Sequence, residues 1–125
     1  MNDVEKEVVF SYFDGKIEEC SRHRNALLDD GRKDEAVFEK IRANVYDIFK
    51  SVFTVALKSA KGTNDPEAVQ KFYLQKMEEL PSAWRDSYKK AEQFGDVEKL
   101  HIESIKLETL EEIRSSMKEI WGDKQ

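Results

Sequence analysis

Two short stretches carry residue types whose spacing could do chemistry: Glu98-Lys99-Leu100-His101 and Cys20-Ser21-Arg22-His23. Helical bundles hold carboxylate-bridged metals with Glu from two helices and Glu-x-x-His from two others, all pointing inward. The chain offers one Glu-x-x-His and no second. Cys20 and His23 stand one helical turn apart. Were both stretches to meet at one end of an antiparallel bundle, Cys20, His23, Glu98 and His101 would offer sulfur, nitrogen and oxygen to a tetrahedral zinc. The angles oppose this. At 100° per residue His23 falls roughly 90° from the apolar stripe of its helix, and His101 is also off the centre of its own. Cys20 lies on its stripe, where a free cysteine behaves as a small hydrophobe. The expectation is a core cysteine with two rim histidines, no metal and no cofactor.

Other chemistry has less support. There is no Gly-x-Ser-x-Gly elbow and no glycine-rich phosphate loop. Doublets such as Glu78-Glu79 and Glu111-Glu112 read as solvated helix faces. Trp84 and Tyr88 flank Pro81 and Lys89-Lys90 and could form an aromatic ligand platform, or a plug where a bent helix needs bulk. Arg24 sits on an apolar seam, where a charge must be paired or reach water. It is the candidate for an internal ion pair that fixes register, against simple snorkelling to the rim. None of these is catalytic, so the chain is expected not to be an enzyme. The alternative is a ligand- or metal-binding bundle with its site near Cys20/His23/Glu98/His101 or at the Pro81 break.

The elements that must position these residues are marked by punctuation. Gly31, Gly62, Gly95 and Gly122 are helix stops, and Asp34, Asp65 and Asp96 follow three of them as helix starts. The first predicted helix runs from about Asp3 to Asp30. Its seam is Phe10, Phe13, Ile17, Cys20, Arg24 and Leu27, continuous in register across Gly15. The second, about Lys33 to Lys61, carries the broadest apolar stripe and should be the best buried. The third opens at Asp65-Pro66-Glu67 and continues to Phe94, kinked or split near Leu80 because Pro81 deletes a backbone bond. The fourth runs from Asp96 to about Trp121, with Ile102, Ile105, Leu110, Ile113, Met117 and Ile120 as its stripe. Short connections make successive helices antiparallel neighbours. The fold class is therefore all-α: an antiparallel up-down-up-down four-helix bundle. About one helix passes per glycine interval, which does not fit a tetratricopeptide repeat spending ~34 residues on a helix pair.

Composition agrees. The chain has 125 residues, 38% charged and 39% apolar, the balance of amphipathic helices with one buried stripe each, and is read as a single domain over residues 1–125. A net charge of −5 argues against nucleic acid as a partner. One cysteine forbids an intrachain disulfide, and no apolar run is long enough for a signal or a membrane span, so a cytoplasmic location is expected. The bulky residues exceed what four narrow seams use: Val9, Tyr46, Phe53 and Trp121 lie outside them. Tyr46, Phe49 and Phe53, at i, i+3 and i+7, are the candidate interaction surface, covered by a protein partner or by a second copy in a homodimer. The functional expectation is a small interaction or structural module.

Overall fold

The computed structural model describes residues 1–60 and 65–122. Its helices are α1 (Asp3–Asp29), α2 (Lys33–Ser59), α3 (Pro66–Glu79), α4 (Ser82–Phe94) and α5 (Val97–Trp121), and there is no strand among the described residues. α3 and α4 are the two halves of the third helix of the bundle, parted only by Leu80 and Pro81. Both linking residues stay close to helical geometry, so the break is a bend rather than a loop. The guanidinium of Arg85 donates to the Glu78 carbonyl at 3.3 Å, satisfying an oxygen at the interrupted end of α3. Helix α1 runs unbroken through Gly15.

The punctuation works as its chemistry requires. Gly31 and Gly95 take positive φ of 74° and 70°, and their turns close with Arg32 N–H donating to Leu27 O at 2.8 Å and Asp96 N–H donating to Ala91 O at 2.9 Å. Asp65 and Asp96 cap α3 and α5 with their carboxylates. Asp34 does not cap. α2 begins one residue before it, and Asp34 instead places its charge in the first turn, at the positive pole of the helix. The stop expected at Gly62 and the end at Lys61 lie outside the described residues. Asn2 caps α1 by accepting from Glu5 N–H at 2.8 Å.

Cross-chain contacts set the packing. Asp14 meets Lys50 and His23 meets Glu39, so α1 and α2 are antiparallel. Phe38 meets His101 and Phe53 meets Trp121, so α2 and α5 run parallel, as the diagonal pair of an up-down-up-down bundle must. That diagonal is in full contact, while α1 touches α5 only sparsely; α3 packs on α2 and α4 on α5. The section is a flattened rhombus with α2 and α5 at its centre.

Centrality explains the fate of the bulky residues. Phe53 is fully buried, its ring 5.1 Å from Phe10 of α1, 6.0 Å from Tyr73 of α3 and 6.4 Å from Trp121 of α5. Tyr46 and Phe49 are buried as well. The expected surface of Tyr46, Phe49 and Phe53 is thus corrected: three neighbouring helices close over this stripe within one chain. Val9 is likewise core. Of the two readings of Arg24, the internal ion pair is corrected and the one in which it reaches water agrees with the structure. Arg24 is exposed, and no carboxylate among the described residues pairs with it. A straight helix drifts about 20° per heptad against a strict seven-residue repeat. Two heptads after Phe10, the seam position has rotated toward water.

Candidate functional site

Among the described residues, a polar pocket and an apolar groove lie beside α2, and they differ in chemistry. The first is a polar pocket of about 80 Å³ where α1, α2 and α5 meet, lined by Lys16, Glu19, Cys20, His23, Glu39, Arg42, Tyr46 and Glu112. Its charges neutralise one another. Lys16 Nζ lies 3.0 Å from Glu112, and Glu39 sits 4.0 Å from His23 Nδ1 and 3.8 Å from Arg42. Burial, helped by the nearby Glu39 charge, pushes the Cys20 thiol up to about 11. The thiolate is the reactive form of cysteine, so Cys20 is a poor nucleophile at neutral pH.

Of the four residues considered for a metal, Cys20 and His23 line this pocket and Glu98 and His101 do not. The pocket reaches α5 at Glu112, eleven residues beyond His101, which is roughly 16 Å along the helix axis. His101 turns the other way and packs edge-on against Phe38, with ring centroids 4.4 Å apart. Among the described residues no group of three or more His, Cys, Asp or Glu side chains could hold a metal ion. Trp84, half-buried, packs 6.3 Å from Phe49 with Lys106 Nζ 5.8 Å from its ring, and so plugs the core beside the bend.

The second feature is an apolar groove of about 450 Å³ between α2 and the end of α3, lined by Asp47, Ile48, Ser51, Val52, Val55, Lys76 and Leu80. Ile48, Val55 and Leu80 are 40%, 50% and 43% exposed. The groove follows from the bend. α3 ends at Glu79 and its continuation α4 packs on α5, so the flank of α2 beyond Leu80 has no neighbour of comparable extent among the described residues. Ile41, half-buried, and Val37, 52% exposed, continue the same flank toward the start of α2.

The sequence expectation put Ile41, Ile48 and Val52 in one broad buried stripe with Phe49 and Phe53, whereas α2 carries two, and the outer one, with Ile48 exposed, is left to water. The signal was available: Ile41, Ile48 and Val55 repeat every seven residues, on a face apart from Phe49 and Phe53. Sequence reasoning also missed Glu103, a buried carboxylate on α5 whose Oε1 lies 3.2 Å from Lys106 Nζ while Oε2 has no hydrogen-bond partner. Stepping back seven residues from Met117 to Leu110 and seven again reaches Glu103.

No protein-family model matches the chain, and no curated protein and no solved structure is significantly similar to it.

Proposed function

We propose that this chain is a small interaction module, a cytoplasmic helical bundle that presents the flank of α2 to a protein partner and performs no chemistry of its own. The observation that carries this reading is the apolar groove between α2 and the end of α3, where Ile48, Val55 and Leu80 are exposed around a half-buried Val52. Single exposed apolar residues are ordinary, whereas a contiguous row on one helix flank is the mark of a contact surface. A protein partner suits it better than nucleic acid, since the chain carries −5 and the groove is rimmed by one acid and one base, Asp47 and Lys76. A bilayer-spanning role has no support, because no helix among the described residues is long and apolar enough to cross a membrane. The polar pocket at Cys20 and His23 supports a ligand less well, as its charges are already paired with one another.

The test is a photo-crosslinking residue at Val55, compared with one at Glu108, an exposed position of α5, both in the native host. Adducts at Val55 and none at Glu108 are the expected result. Equal labelling at both sites, or none at either, would remove the groove as a docking surface.

A further inference from the structure

We infer that the occupant of this groove is a second copy of the chain, paired antiparallel along α2 about a twofold axis near the middle of the helix. The inference rests on the docking role proposed for that flank and adds who docks and in which direction.

The outer flank of α2 reads as heptads. Asp34, Ile41, Ile48 and Val55 occupy one position of the repeat, and Val37, Asn44, Ser51 and Lys58 the other. Each is exposed or half-buried in the single chain. In an antiparallel pair, a residue of the first set faces one of the second set across the seam. The layers are then Asp34 against Lys58, Ile41 against Ser51, Ile48 against Asn44 and Val55 against Val37, each occurring twice by symmetry. A parallel pair sets like against like, so that Asp34 faces Asp34 and Lys58 faces Lys58, and the seam ends repel.

Charge therefore chooses the antiparallel arrangement. Neither Asp34 nor Lys58 has an ion-pair partner among the described residues of its own chain, so both are available to the second copy. The polar Asn44 beside Ile48 at the centre specifies register at some loss of affinity. The central layers pair one branched apolar residue with one small polar one. The contact is accordingly reversible, forming in the micromolar range.

The experiment is sedimentation equilibrium of the full chain from low to high micromolar concentration, with circular dichroism to verify the fold of each variant. The wild type is expected to pass from monomer to dimer. Asp34→Lys and Lys58→Asp should each weaken the dimer by about tenfold, the size of one modest charge reversal. The double variant should recover most of that loss, because it exchanges the signs and keeps opposites facing. A second measurement does not depend on those charges. In a Cys20→Ser background, protein with Val37→Cys mixed with protein with Val55→Cys should form disulfide-linked pairs across positions 37 and 55 faster than either forms them with itself. A wild type monomeric at every concentration, no recovery in the double variant, or preferential 37–37 linkage would each overturn the inference. Photo-adducts at Val55 separate the two readings. Twice the chain mass supports both, another mass keeps the docking surface but overturns self-pairing, and no adduct removes both.

Discussion

Tyr73 donates its hydroxyl hydrogen to the main-chain carbonyl oxygen of Phe49 at 3.0 Å, inside the core. This bond ties α3 to α2 at the point where the aromatic cluster is densest, with the Tyr73 ring 6.0 Å from Phe53 and 5.5 Å from Trp121. A helical carbonyl has a second lone pair free for such a donor. Tyr73→Phe removes the bond and leaves the ring packing in place. The expected loss is about 1 kcal/mol, seen as a lower urea midpoint at unchanged slope. No shift in midpoint would mean that the hydroxyl contributes nothing net.

The same burial makes the fold sensitive to alkali. Burial pushes the Tyr73 hydroxyl far above the ordinary tyrosine range, and burial with the facing Glu112 does the same to Tyr46. An unfolded tyrosine releases its proton near pH ~10. Above that pH the unfolded chain binds fewer protons than the folded one, so stability falls as pH rises; below it these groups are protonated in both states and add no slope. Cys20, held to about 11 by burial, begins the decline at the lower pH where an unfolded thiol ionises. Urea denaturation at about pH 9 and again at about pH 11 should show a marked loss, and a smaller one in Tyr73→Phe. Equal slopes in the two proteins would contradict the assignment to Tyr73.

Gly15 lies inside α1 with negative φ, and a Cβ built there meets no atom within 4 Å. Glycine in a helix interior costs roughly 0.5–1 kcal/mol relative to alanine, mostly through the freedom of the unfolded chain. Gly15→Ala should raise stability by about that amount, measured by thermal or urea unfolding. Gly95, at φ 70°, is the contrast: alanine there is strained although there is space for it. A destabilised Gly15→Ala would mean that the helix needs a weak point at this position.

The four-helix order, the bend at Pro81 and the Gly31 and Gly95 turns were legible in sequence because each depends on local chemistry: spacing, a missing N–H, a left-handed φ. What could not be read was how helices share faces. The excess of Tyr46, Phe49 and Phe53 suggested a surface on the assumption that each helix buries one narrow seam. In the folded chain α2 and α5 touch across the diagonal, so α2 has α1, α3 and α5 as neighbours and buries a wide arc. The internal ion pair considered for Arg24 failed for a related reason, since a seven-residue seam does not stay on one face of a straight helix and Arg24 reaches water. The groove depends on where α4 goes after Pro81, which is set by its packing on α5 and is written nowhere near Ile48.

The bend itself can be tested. Pro81 is buried, and its missing N–H leaves the Met77 carbonyl, four residues earlier, without its helical donor. Leu80 has φ −61° and ψ −38°, and Pro81 φ −79° and ψ 4°, so only a small rotation separates this segment from continuous helix. Pro81→Ala supplies the donor. Its cost is the packing of the buried ring, so the two effects offset and stability should change by no more than about 1 kcal/mol. Helical content should rise slightly, and the new amide at position 81 should be protected against hydrogen exchange by bonding to Met77. Trp84 on Phe49 and Arg85 on the Glu78 carbonyl hold the segment on either side, so the bundle itself should persist. If the amide at 81 exchanges as fast as an open turn, the bend is imposed by the packing of Trp84 and not by the proline ring.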